Sequence, residues 1–265
     1  MLRPMRKLGI FGCGNIARYV AAHLGAGRPD AAASALGITA VYDRHADRRA
    51  ALAARAGARE CASIAGLLAE DVDLVVETAS VAGAREHALT VLEAGKDLVI
   101  LSAGALMDAA LRSRLEAAAS RTGRRIYLPS GAVAGLDLMR AGRGVGFSRL
   151  LLRTTKPPAG LDAEVSERTC LFRGPAEECV RLFPRNINVA ASLSIASGAA
   201  LDVEIWADPQ ASYNTHEVIA EGDFGSADLR LVNHPSPDNP RTSYLAALSL
   251  IALLTNLDSP LQVGA

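Results

Sequence analysis

The chain has 265 residues, half of them hydrophobic, and its 28 basic side chains balance 28 acidic ones to a formal net charge of zero. That length suits one large domain or two modest ones, and the charge balance excludes recruitment of nucleic acid or an acidic membrane by bulk electrostatics. Four cysteines (Cys13, Cys61, Cys170, Cys179) lie far apart with no C-x-x-C pair, which argues against a metal site or a disulfide framework and for a reducing, cytoplasmic setting.

Arg3, Arg6 and Lys7 ahead of an apolar run imitate a secretory leader, but Asn15 and Arg18 interrupt the run. The same residues explain themselves as a strand, Leu8 to Phe11, a tight turn, Gly12-Cys13-Gly14, and a helix from Ile16 to Leu24. The pattern is G-x-G-x-x-A. Gly12 takes the angles of a sharp turn, Gly14 lets a pyrophosphate approach the backbone, and Ala17 lets the helix pack closely on the strand. The free N–H groups of the helix start favour phosphate, so Gly12, Gly14, Asn15 and Ile16 are candidate dinucleotide contacts.

Ile38 to Tyr42 reads as the second strand and ends at Asp43. A carboxylate there suits the ribose hydroxyls of NAD, whereas Arg44, Arg48 and Arg49 just beyond suit the 2′-phosphate of NADP. A solvated strand-end turn is the plain structural alternative. Asp47 to Ala56 and Cys61 to Leu68 read as helices. Val72 to Glu77 is a buried-type parallel strand whose carboxyl end, Thr78-Ala79-Ser80, lies where such sheets bind ligands, which makes Ala79 a further candidate. A helix over Gly83–Ala94, a strand over Asp97–Leu101 with the loop Ser102-Ala103-Gly104-Ala105, a helix over Asp108–Ser120 and a strand over Arg125–Leu128 complete the alternation. Strands and helices at this spacing predict a Rossmann-type, doubly wound parallel sheet.

The texture changes near Gly135. Val145 to Thr155 and Asp162 to Leu171 read as strands, Pro175 to Phe183 and Val189 to Ala200 as helices, and Asp202–Ala207, His216–Gly222 and Ala227–Asn233 as strands of one sheet. This predicts a second, α+β domain with a mixed or antiparallel sheet. Thr242 to Leu254 reads as a last helix that returns to the first domain; its apolar stretch, Tyr244 to Leu254, is too short to span a bilayer. The expected division is a dinucleotide-binding domain over 1–133 joined by the helix in 241–265, and a substrate domain over 134–240. An apolar open face on the second sheet is expected to serve a homodimer.

Taken together, Ser130-Gly131-Ala132, Thr154-Thr155-Lys156-Pro157-Pro158, Phe183 to Ala196 (FPRNINVAASLSIA), Asn214-Thr215-His216-Glu217 and Asn233 to Ser243 (NHPSPDNPRTS) resemble the L-aspartate dehydrogenase family. With the opening turn, these motifs span nearly the whole chain. The resemblance implies an NAD- or NADP-dependent enzyme interconverting L-aspartate with oxaloacetate and ammonia through an imine. It implies His216 as the active-site residue. It implies Ala132 and an asparagine near 185–189 as nicotinamide contacts; Asn186 and Asn188 both stand as candidates, with Asn188 preferred.

The residues themselves support that chemistry. An imidazole titrates near working pH, so His216 suits proton handling; a satisfied strand histidine is the bland alternative. Glu217 points to the opposite face of the same strand. Asn188, just ahead of an apolar helix, equally suits an N-cap. Lys156, held extended by Pro157 and Pro158, suits a substrate carboxylate or a solvated loop. His234 and Arg241 flank a Pro-rich loop, and arginine suits bidentate carboxylate binding. No metal is expected. Ser-Ala-Gly-Ala at 102–105 holds no catalytic lysine, which argues against a sugar or inositol dehydrogenase. A homoserine dehydrogenase and a non-catalytic dinucleotide-sensing module remain the rival readings.

Overall fold

The computed structural model describes residues 5–25, 36–183, 187–237, 239–257 and 259–261. Contacts divide the chain into a first unit, which runs to Pro129 and resumes at Ala247, and a second unit, Ser130–Ala246.

The first unit alternates β1 (Arg6–Phe11), α1 (Asn15–Gly25), β2 (Leu36–Tyr42), α2 (Ala46–Ala56), β3 (Arg59–Cys61), α3 (Ile64–Ala69), β4 (Leu74–Glu77), α4 (Val81–Glu93), β5 (Asp97–Ile100), α5 (Ala109–Thr122) and β6 (Ile126–Tyr127). The strands form a six-stranded sheet in the order β3-β2-β1-β4-β5-β6, with every pairing parallel. The order reverses beside β1, and this switch point sets the glycine turn and the loop after β4 side by side. Every residue of β4 is buried, as expected of a strand covered on both faces.

Local signals set the helix ends. Ser63, Ser80 and Asp108 cap α3, α4 and α5 by accepting from the amides of Gly66, Gly83 and Leu111. The cap at Ser63 corrects the reading of Cys61–Leu68 as one helix: Cys61 ends a short edge strand, and the helix starts after Ser63. The loop read at 102–105 is a turn of 3-10 helix, Ala103–Met107.

The second unit comprises α6 (Leu136–Gly142), β7 (Arg149–Lys156), β8 (Thr169–Pro175), α7 (Ala176–Leu182), α8 (Ile187–Ser197), β9 (Asp202–Ala207), β10 (Asn214–Gly222), β11 (Gly225–Asn233), and the small hairpin β12 (Pro235–Ser236) and β13 (Asn239–Ser243). Its main sheet runs β11-β10-β7-β9-β8. The β7–β9 pair is parallel and the others are antiparallel. The strand read at Asp162–Leu171 begins only at Thr169, because Pro158–Gly160 turns as 3-10 helix and the chain stays irregular after it.

Alternation along the strands sorts the sheet into two faces. Leu150, Leu152, Thr154, Val203, Ile205, His216, Val218 and Ala220 are all buried on one of them. The other is not the apolar surface that the pattern suggests. Arg153 bridges Glu204 and Glu217, Arg173 also reaches Glu204, Arg149 pairs with Glu221, and the Arg168 guanidinium lies 4.1 Å from the Trp206 ring centre. Cross-strand register places these charges opposite one another, and such pairing between strands lets a sheet face stay polar.

α9 (Tyr244–Asn256) leaves the second unit and ends in the first. Its Leu250, Ile251 and Leu254 join Leu8, Ile10, Ala17 and Leu74 in one buried cluster; side chains of that size contribute roughly 1.5–3 kcal/mol each when buried. Among the described residues no helix is long and apolar enough to cross a membrane.

Candidate active site

The glycine turn is held by its neighbours. Gly12 has a positive φ of 98°, and a Cβ there would stand 2.5 Å from the backbone of Ala79. The Thr78 hydroxyl donates to the Gly12 carbonyl at 2.7 Å, and the Gly12 amide donates to the Tyr42 carbonyl at 2.8 Å. Glycine is therefore required by a close approach of the loop after β4, as well as by backbone angle. Gly14 differs: a Cβ on it would meet nothing within 4 Å. That open space beside the start of α1, which has no acidic residue in its first turn, fits a pyrophosphate. The Asn15 side-chain oxygen accepts from Arg18 one turn on.

Asp43 faces inward. One carboxylate oxygen accepts the Cys13 amide and the other the His45 amide, each at 2.8 Å. The acid thus clamps the second residue of the glycine turn to the end of β2, an arrangement that its position in the sequence does not reveal. Arg49 is turned to Glu60 and the Asp43 carbonyl.

A second carboxylate, Glu77, is fully buried and escaped the sequence reading. Its Oε1 accepts from the Ala79 amide at 2.8 Å and the Ser102 hydroxyl at 2.9 Å; its Oε2 accepts from the amides of Leu101 at 3.1 Å and Ser102 at 2.8 Å. Burial pushes its carboxyl above the usual range, while the hydrogen bonds from Ser102, Ala79 and Ser80 oppose that shift. One acid thereby ties the loops after β4 and β5, both at the carboxyl end of the sheet. A charged residue closing an apolar strand, VVE, was the available signal.

In the second unit Ala132 follows Gly131, whose φ is 69°. The Ala132 carbonyl accepts from the Asn233 side chain at 3.1 Å, and the Asn233 side-chain oxygen accepts from the Ser243 hydroxyl at 2.8 Å. Asn233 and Ser243 also line a cavity of about 400 Å³, together with Lys156, Pro157, Tyr213 and Asn214. The proline pair does what its covalent chemistry dictates: β7 ends at Lys156 and the chain turns away. Burial lowers the Lys156 ammonium to about 8.

His216 lies on β10 opposite Thr154 of β7, and the residue is only 6% exposed. Its Nδ1 is 2.9 Å from the Thr154 hydroxyl. Burial first, and then the Lys156 charge, push its pKa down to about 3, so the resting imidazole is neutral. This predicts a pH signature of folding. An unperturbed imidazole titrates near 6.5, so below that pH the unfolded chain takes up a proton that the folded chain refuses. Unfolding free energy should fall by up to about 1.4 kcal/mol per pH unit between about pH 6.5 and about pH 3. Denaturant unfolding at about pH 7 and about pH 5 should show a shallower loss in His216→Asn than in the parent.

His234 is exposed and packs on Tyr213, with ring centres 4.4 Å apart. Arg241 lies in β13, not at a helix start, because the Pro-rich segment pairs back as a hairpin and the helix begins at Tyr244. Asn188 is exposed within the first turn of α8, which begins one residue earlier; it is therefore not the residue ahead of the helix. Asn186 lies outside the described residues. Among the described residues no three of His, Cys, Asp and Glu are grouped to hold a metal ion.

Two family models match the chain: one described as the homoserine dehydrogenase NAD binding domain, over residues 12–129, and one as the aspartate dehydrogenase C-terminal region, over residues 137–257. The L-aspartate dehydrogenase of Methanospirillum hungatei is 46% identical, over 98% of this chain and 100% of that protein. That of Methanothermobacter thermautotrophicus is 42% identical, over 98% and 99%. The crystal structure of an aspartate dehydrogenase from Thermotoga maritima superposes with a TM-score of 0.79 at 28% identity, covering 98% of this chain and 99% of that one.

Proposed function

The chain belongs to the aspartate dehydrogenase family, and on that premise we propose that it oxidises L-aspartate, through iminoaspartate, to oxaloacetate and ammonia, reversibly, with NAD or NADP as oxidant. The observation that carries the reading is in the second unit. Lys156 lines the cavity, and its charge reaches the neutral imidazole of His216.

The dinucleotide, when bound, supplies the acceptor for the hydride leaving the α-carbon. Gly12, Gly14, Asn15 and Ile16 would hold its pyrophosphate, and Ala79, Ala132, Asn188 and Asn186 would serve its nicotinamide end. Asp43 opposes a 2′-phosphate by its charge, whereas Arg44 and Arg48 favour one. The chain's own residues do the rest. A substrate carboxylate pairs with Lys156, with Arg241 and His234 assigned to the far end of the dicarboxylate. His216 takes the proton that the substrate ammonium must lose before hydride departs; once that proton has passed to solvent, the neutral ring takes one from the water that attacks the imine. A resting neutral imidazole is the competent form for the first of these steps.

The test is absorbance of reduced nicotinamide with L-aspartate and either NAD or NADP, run beside D-aspartate, L-glutamate and L-homoserine. Reduction with L-aspartate alone supports the reading and ranks Asp43 against the arginines. Reduction only with L-homoserine moves the substrate, and binding without turnover by any of the four sinks the enzyme.

Lys156 adds a pH prediction. Its ammonium holds the carboxylate only while protonated, so kcat/KM for aspartate should fall on a limb near pH 8 as that proton is lost. Lys156→Arg, which stays charged, should remove that limb. Lys156→Met should raise the KM for aspartate by about 10-fold or more, the worth of a charged hydrogen bond. An unchanged limb in the arginine variant discards the assignment.

We also place the protein in the cytoplasm as a homodimer joined through the open face of the second sheet. Its four cysteines are free, and the paired charges on that face suit a self-complementary contact. Sedimentation equilibrium with Arg153→Glu tests the dimer.

A further inference from the structure

We propose that Thr154 is a positioning residue for this reaction: its hydroxyl oxygen accepts the Nδ1–H of His216 and holds the ring in the tautomer that leaves a lone pair on Nε2. The proposal rests on the reading of His216 as the proton acceptor. A neutral imidazole has one N–H and one lone pair, so the partner of one nitrogen decides the role of the other. Were the Thr154 hydroxyl the donor, Nε2 would carry the hydrogen and could not accept another.

The geometry is built for such control. Thr154 and His216 are direct cross-strand partners, 62 residues apart in sequence, at 2.9 Å and both buried. No bulk water competes for the bond at that depth. A β-branched threonine on a strand has restricted χ1, which keeps its oxygen in place. A hydroxyl also orients the ring without adding a negative charge. A carboxylate in its place would fix the same tautomer but would also raise the ring's affinity for a second proton at rest. Lys156, two residues along the same face of β7, supplies charge to the neighbourhood while Thr154 supplies direction.

Three variants of the full-length enzyme test this: Thr154→Val, Thr154→Ser and His216→Ala. Valine keeps the shape and removes the oxygen; kcat should fall about 10-fold or more with the KM for dinucleotide unchanged, as for loss of an outer partner that orients an active histidine. Serine restores the oxygen and should return kcat to within about threefold of the parent. Imidazole ¹⁵N spectra of histidine-labelled protein, with the His216 signals identified by their loss in His216→Ala, should show the Nδ1–H tautomer in the parent and loss of that preference in Thr154→Val. A parent ring protonated on Nε2 overturns the proposal, and that measurement stands even where the valine variant does not fold. Parental kcat in Thr154→Val overturns it too. Parental kcat in His216→Ala instead strikes the underlying reading, so the two failures are told apart.

Discussion

His216→Ala should cut turnover by about 10²-fold or more while leaving dinucleotide affinity as it is in the parent. The separation follows from where the residue lies. Its ring sits on the buried face of the second sheet, against Thr154 and within reach of the Lys156 charge. The glycine turn belongs to the first unit and is held by its own contacts with Thr78, Ala79, Tyr42 and Asp43. Steady-state rates with L-aspartate and fluorescence titration with dinucleotide read the two quantities separately. Equal collapse of both would show that the substitution had disturbed folding or cofactor contact, and the proton role would be withdrawn. A rate within about threefold of the parent would be as damaging, since a positioned acid–base group contributes about 10²–10⁴-fold.

The resting pKa of about 3 sharpens this expectation. A group that stays neutral across the working range does not shape the pH profile of the free enzyme there; the ammonium of Lys156, lowered to about 8, does. Both shifts come chiefly from burial, so a bound dicarboxylate, by placing negative charge beside the pair, favours protonation of each. On the proposed role of His216, the proton it accepts is thus stabilised by the substrate that supplies it.

Much of this was legible in sequence because the signals are local. G-x-G-x-x-A is a six-residue pattern, and the turn, the helix start and the buried Ala17 all follow from it. The alternation of short apolar runs with helices announced a parallel sheet. The partners that adjust the site are not local. Thr154 meets His216, and Glu77 meets Ser102, only through strand register, across 62 and 25 positions. Asn233 reaches Ala132 across 101. No window of sequence contains such pairs. Arg241 and Asn188 were misplaced for a different reason: around them a hairpin or one more residue of helix competes with the simpler pattern. The expected apolar face of the second sheet failed because alternation reveals which residues share a face but not whether opposite charges on it find one another.

Glu77→Gln should be the most damaging conservative change in the first unit. Gln has the shape of Glu but turns one of two acceptors into a donor, and both oxygens of Glu77 already receive hydrogens. With the amide group toward Leu101 and Ser102, two backbone N–H groups lose their acceptor. With it toward Ala79, the Ser102 hydroxyl can turn to accept, but the Ala79 N–H still faces another N–H. The second arrangement is the cheaper, and it leaves one buried donor unsatisfied at about 1–3 kcal/mol. For a unit of this size that lowers the melting temperature by about 2–4 °C per kcal/mol. The loss is not confined to stability. The orphaned group is the amide of Ala79, whose backbone lies where a Cβ on Gly12 would stand; a shift there reaches the glycine turn proposed to hold the pyrophosphate. Dinucleotide affinity should therefore weaken by about 10-fold, as expected for the misplacement of one charged hydrogen bond, while the KM for aspartate, assigned by the proposal to residues of the second unit, moves little. A thermal melt and a dinucleotide titration on the same preparation decide the point. A lowered melting temperature with parental affinity would reduce Glu77 to a structural clamp. A parental value of both would mean that the buried carboxyl carries a proton and already behaves as the amide does.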